Sequence, residues 1–109
     1  MKAKRVIPRQ LAQRDVEEIV DHYAHEDAVL AALGFIDALE QAFLHIGRHP
    51  ATGSPRFAHE LNLPGLRMWR LTKYPYLVFY VEGAEQVDVW RVLHEKRDIP
   101  AWMQESAGD

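Results

Sequence analysis

The chain has 109 residues, 48% hydrophobic and 27% charged, with 13 Lys and Arg against 16 Asp and Glu for a net charge of −3. One domain, 1–109, is expected at this length, with enough chain to bury about two-thirds of its unfolded surface. Absence of cysteine excludes disulfides, thiol nucleophiles, iron–sulfur clusters and cysteine zinc sites, and the acidic balance argues against a protein that coats nucleic acid through its overall field.

Lys4-Arg5-Val6-Ile7-Pro8 reads as a short strand. Pro8 cannot donate to a ladder, so it sits at a strand end or on a sheet edge. From Gln10 the period changes. Val16, Ile19, Val20 and Tyr23 recur at i, i+3, i+4 and i+7, one face of a helix that ends near His25. Asp15, Glu17, Glu18 and Asp21 fall mostly on the other face. Asp27 is placed to cap a second helix, Ala28 to Ile46. Its apolar stripe of Val29, Leu33, Ile36, Leu39 or Leu30, Phe43 and Ile46 is wide enough for a helix lying across a sheet. Gly34 in its middle costs about 1 kcal/mol relative to Ala, and a close helix–helix approach is the expected reason. The short joint between the helices makes them an antiparallel hairpin.

Gly47 to Pro55 carries Pro50, Gly53 and Pro55 and begins a loop that runs to Pro64-Gly65. Three strand-like runs follow: Leu66–Thr72, Tyr76–Glu82 and Gln86–Leu93. Tyr74-Pro75 and Glu82-Gly83-Ala84-Glu85 supply the turns. Tyr76 to Val81 is apolar or aromatic throughout, the mark of a central strand buried on both faces. Asp88 and Arg91 give the last run one wet face. A short helical turn after Pro100 packs through Trp102, and the tail from Gln104 is expected to fray. The order is β-α-α-β-β-β. This is an α+β fold, a helical hairpin on one face of a small, mostly antiparallel sheet, with a short C-terminal helix.

No apolar run approaches the roughly 18–20 residues of a membrane span. The basic start, MKAKRVIPRQ, lacks the apolar stretch of a signal peptide. A cytoplasmic protein with no membrane partner is expected. His45 and His49, and likewise His22 and Glu26, have zinc-compatible helical spacing, but neither pair has a third ligand near in sequence. No metal or cofactor is implied. The stretch Gly47 to Gly53 lacks the Lys-Ser/Thr of a phosphate loop and follows a helix, not a strand. Ser54 and Ser106 are the only serines, and neither lies in a strand–turn–helix elbow.

Charge is unevenly placed. Residues 1–45 hold 5 basic and 8 acidic side chains, whereas residues 46–100 hold 8 basic and 6 acidic. The basic group comprises Arg67, Arg70 and Lys73 on and after one strand, and Arg91, His94, Lys96 and Arg97 on and after the last. Arg67 and Arg70 have opposite parity and need not share a face. Such a surface positions phosphates or accepts an acidic partner peptide. The plainer alternative is solvated strand ends with local ion pairs, such as Arg97 with Asp98 or Glu95.

The segments LAQRDVEEIVDHYA, HPATG, LPGLR, YPYLVFY and VDVWRVLHEKRDIP, in this order and over nearly the whole chain, resemble the ParE branch of the ParE/RelE toxin superfamily. Its members are the toxin halves of bacterial type II toxin–antitoxin modules, which act in plasmid stabilisation. The resemblance implies a helical hairpin on a small sheet and neutralisation by a cognate antitoxin, with contact to DNA only through that antitoxin. RelE-like relatives cleave mRNA on the ribosome; ParE-like relatives poison DNA gyrase and carry no nuclease chemistry. The RelE-like pattern has an Arg three residues before the final Tyr of the central strand, where this chain has Leu77 before Tyr80, and often a C-terminal Tyr, where this chain has Ile99-Pro100-Ala101-Trp102. Loss of one such charge costs about 2.7–4 kcal/mol of transition-state stabilisation. A pI near 6.0 also suits a protein target better than ribosomal RNA. The expected function is therefore gyrase poisoning without catalytic residues. Arg67, Arg70, Arg91, His94 and Arg97 form the expected partner-binding surface. The alternatives are an mRNA endonuclease using His94 and Arg97, or a non-toxic module that only binds antitoxin.

Overall fold

The computed structural model describes residues 3–107, with side chains through Gln104. Four strands, β1 (Arg5–Pro8), β2 (Leu66–Arg70), β3 (Tyr76–Glu82) and β4 (Gln86–His94), form one sheet in the order β1-β4-β3-β2. β2–β3–β4 is an antiparallel meander, and β1 joins parallel to β4 with Arg5 opposite Gln86. The helical hairpin is α1 (Gln10–His25) and α2 (Val29–Arg48). Two further helices, α3 (Arg56–Glu60) and α4 (Ile99–Ala107), complete the fold.

Strand alternation divides β3 between two cores. Tyr76, Val78 and Tyr80 face the hairpin, where they meet Phe35, Leu39, Ala42 and Ile46 of α2 and Ala12 of α1. Leu77 and Phe79 face the other way, onto Phe57 of α3 and Ile99 and Met103 of α4. Each fully buried large side chain contributes about 1.5–3 kcal/mol, and helices on both faces let a four-stranded sheet bury Tyr76 to Tyr80 of β3.

The α+β fold and its element order match the expectation, with four differences that have physical causes. The loop after α2 is not structureless: a 3₁₀ turn, Pro50–Thr52, and α3 lie within it. The C-terminal element is longer than a turn, and α4 carries its backbone helix through Gln104 to Ala107; the side chains beyond Gln104, and residues 108–109, lie outside the described residues. Asp27 does not cap α2, because its φ of 55° turns the chain between the helices and leaves Ala28 as the N-cap with no side-chain hydrogen bond. Gly34 answers to an aromatic ring and not to a helix: a Cβ there would lie 2.1 Å from the Tyr74 hydroxyl.

α2 also departs from the hydropathy reading. Its mean hydropathy of 1.5 makes it long and apolar enough, by composition, to cross a membrane. Here Phe35 and Ile46, both fully buried, turn its inner face to the sheet, while Leu30 on its outer face is 84% exposed.

Candidate functional site

The last strand carries the irregularity that organises the site. Val89 pairs with Tyr80 and Arg91 with Phe79, so Trp90 is one residue too many on β4. Such a bulge re-aims the side chains that follow it. Val92 then takes the hairpin-facing place, and Arg91 is carried inward until 2% of it is exposed. Its Nε and Nη2 donate to both carboxylate oxygens of Asp15, at 2.8 and 2.6 Å. The backbone N–H of Val92 donates to the same carboxylate at 3.0 Å. Arg91 Nη1 donates to the Trp102 carbonyl at 3.2 Å. One guanidinium thus ties α1, β4 and α4 together.

This corrects two expectations. Arg91 is a strut between elements and not part of an accessible surface, and no wet face exists at its position. Asp15 lies on the buried side of α1, not with Glu17, Glu18 and Asp21. Helical phase was the available signal: Asp15 falls one turn from Ala12 and from Ile19, both on the apolar stripe.

The other arginines of the expected surface are also engaged. Arg67 Nη1 donates to the Gly53 carbonyl at 2.8 Å and pins the loop before α3. Arg70 donates to Glu95 through Nε at 2.9 Å, with both side chains well exposed. That bond holds the Glu95 carboxyl below its usual range; an exposed pair of this kind adds little stability. Glu95 therefore pairs with Arg70 and not with Arg97. Arg67 lies on the Trp69 side of β2 and Arg70 on the Met68 side, each against a different core, in line with their opposite parity.

His94 and Arg97 come together. They line one cleft of about 430 Å³ with Lys96, Trp102 and Tyr76, closed on the far side by Glu18, Ile19 and His22 of α1. The Arg97 guanidinium lies 4.7 Å over the Trp102 ring, and Arg91 lies 5.3 Å from the same ring. Trp102 is thus a platform steadied by one arginine and presenting another. The His94 ring stands edge-on to Tyr76 at 5.3 Å. Its Nδ1 accepts the Lys96 backbone N–H at 3.1 Å, which leaves the proton of the neutral ring on Nε2. Burial, then a hydrogen bond with Tyr23, pushes the Tyr76 phenol up to about 12 against a smaller opposing pull from Arg97. The cationic lip therefore offers hydrogen-bond donors and positive charge over an aromatic floor. Sequence reasoning missed Tyr76, Glu18, Ile19 and His22 as lining residues. They are separated from His94 by long stretches of chain and read as ordinary core or helix-surface positions.

Lys96 and Arg97 also border a second cleft of about 660 Å³ on the opposite side of the sheet, which includes Arg56, Glu60, Met68 and Leu77. Leu77 is buried there against Phe79 and Leu93 and presents no charge. The remaining histidines are placed apart from both clefts or at their rim. His45 stacks on Trp69 at 4.5 Å and lies 5.3 Å from His49. Among the described residues, no group of three or more His, Cys, Asp or Glu is placed to hold a metal ion.

A comparison of folds finds a chain from the chromosomal ParDE TA system of P. aeruginosa with a TM-score of 0.70 at 17% identity, covering 84% of this chain and 96% of that one. At that identity the likeness speaks for the fold. No curated protein matches the sequence significantly. The profile of a family described as the ParE toxin of type II toxin–antitoxin system, parDE, matches residues 6–99, a span from β1 through the first residue of α4 that includes every residue of the cleft except Trp102. The chain therefore belongs to the ParE toxin family of type II toxin–antitoxin systems.

Proposed function

We propose that this toxin acts by binding and not by cutting: it poisons DNA gyrase in the bacterial cytoplasm and is silenced when a cognate antitoxin occupies it. The observation that carries the reading is Leu77, buried and uncharged at the place where the RelE-like pattern has Arg, which adds no charge to stabilise a pentavalent phosphate. Burial keeps the Tyr76 phenol protonated up to about 12, so it is no base for a ribose hydroxyl at neutral pH. What remains suits an acidic protein segment, with an apolar side chain on Tyr76 and Trp102 and a carboxylate on Lys96 or Arg97.

The test is a supercoiling assay with purified gyrase and purified toxin. Inhibition at saturating toxin is expected, with Arg97→Ala weakening it and the product of the neighbouring reading frame reversing it. Normal supercoiling at saturating toxin overturns the reading. One observation favours mRNA cleavage instead, namely that His94, Lys96 and Arg97 converge on a single lip. Transcript mapping after induction separates the two, since in-frame cleavage that Arg97→Ala abolishes belongs to a nuclease alone.

A further inference from the structure

The cleft that holds His94 and Arg97 carries unlike charges on its two sides. Lys96 and Arg97 stand on the β4 side and Glu18 on the α1 side, over the aromatic floor of Tyr76 and Trp102. These charges do not meet. Ion pairs among the described residues join Lys4 to Glu82, Arg9 to Asp88, Arg70 to Glu95 and Arg91 to Asp15, and none includes Glu18, Lys96 or Arg97. The other acids nearby are already engaged, Asp15 by Arg91 and Glu95 by Arg70, and the Arg97 guanidinium lies 4.7 Å over the Trp102 ring. An exposed ion pair contributes little, so nothing draws the two sides together. Both charges stay open to a ligand that lies between them.

This arrangement selects the occupant. A lone anion satisfies the lip and leaves Glu18 unpaired. A segment with acids on both sides of an apolar residue sets one of them against Glu18, and residues 10–25 around that wall hold four Asp and Glu against one Arg, which adds to the repulsion. A base at the same place is attracted by the same charges. In an extended segment the neighbours of the residue directed at the floor point away from it, and long charged side chains there reach the two sides. Resting on the reading that this cleft is where the toxin grips its target, we infer that the bound segment is one of mixed charge. An apolar side chain sits on Tyr76 and Trp102, with Asp or Glu on one side of it facing Lys96 and Arg97, and Lys or Arg on the other facing Glu18.

Three short synthetic peptides with a central leucine test this against the full chain by isothermal titration calorimetry. One has the leucine flanked by Asp and Lys, one by two Asp and one by two Lys. The mixed peptide is expected to bind about tenfold more tightly than either like-charged one. E18K should move the preference to the diacidic peptide, and K96E/R97E to the dibasic one. All three positions are exposed, so circular dichroism should stay unchanged. Equal binding of the mixed and diacidic peptides, an order that E18K leaves as it was, or binding of none overturns the inference. A gyrase supercoiling assay separates it from the reading it rests on. Inhibition by the wild type that E18K weakens about tenfold supports both, whereas inhibition that E18K leaves untouched overturns the inference and keeps the reading. A wild type that ranks the peptides as expected and yet leaves supercoiling normal overturns gyrase as the target and keeps the mixed-charge segment.

Discussion

Replacing Arg91 with Ala tests the strut between α1, β4 and α4. The wild-type pair is nearly dry, with side-chain exposures of 3% for Arg91 and 6% for Asp15. Two of the three donors to the Asp15 carboxylate come from Arg91, at 2.8 and 2.6 Å, and only Val92 N–H remains after the change. A buried charge stripped of its partner costs about 3–5 kcal/mol. A domain of this size has about 5–15 kcal/mol of stability in total. Urea unfolding followed by circular dichroism should show the midpoint falling sharply, or the protein failing to fold cooperatively. The double variant D15N/R91M removes both charges but leaves an amide oxygen to accept the Val92 N–H, and should recover part of the loss, because no unpaired charge stays buried. An Arg91→Ala loss below about 1 kcal/mol, at the level of an exposed ion pair, refutes the reasoning. So does a double variant no more stable than the single one.

The other predictions concern smaller parts of the fold. Tyr80 accepts from Gly53 N–H and donates to the Pro50 carbonyl, each at 2.8 Å; Tyr80→Phe should cost about 1–3 kcal/mol by leaving those groups unpaired, read by thermal denaturation. Gly47→Ala should destabilise although alanine favours helix, because its Cβ would lie 2.6 Å from the Lys4 carbonyl; the expected loss is about 1–3 kcal/mol, read from the urea midpoint. Alkaline pH gives a third test. An unfolded tyrosine ionises at 10.0 whereas Tyr76 in the fold holds its proton to about 12. The unfolded chain therefore binds fewer protons in that window and stability falls as pH rises. Urea midpoints between pH 9 and 11.5 should fall less steeply in Tyr76→Phe, and less again when Tyr80, also raised by burial, is changed to Phe.

The main elements were legible because their signals are local. A period of 3.6 over Val16, Ile19, Val20 and Tyr23, and an unbroken apolar run over Tyr76 to Val81, each identify an element from its own residues. The features that shape the site are not local. Arg91 and Asp15 stand 76 positions apart, and the bulge that brings them together follows from how β4 aligns with β3, which no strand states alone. α3, only five residues long, is too short to show a period. Basic residues read as one surface were divided by strand parity, burial and pairing: Arg67 holds a loop, Arg70 holds Glu95, Arg91 holds α1, and His94 and Arg97 face the cleft.

The parallel pairing of β1 with β4 has a consequence for the timing of synthesis. Arg5 waits for Gln86, and a ribosome adding roughly 5–20 residues per second needs about 4–16 seconds to supply it. Throughout that interval the first strand has no partner, whereas α1 and α2 can already close on each other. Arg91 and Trp102, which steady Arg97, arrive later still. The acidic hairpin is therefore made before the residues that complete the cationic cleft.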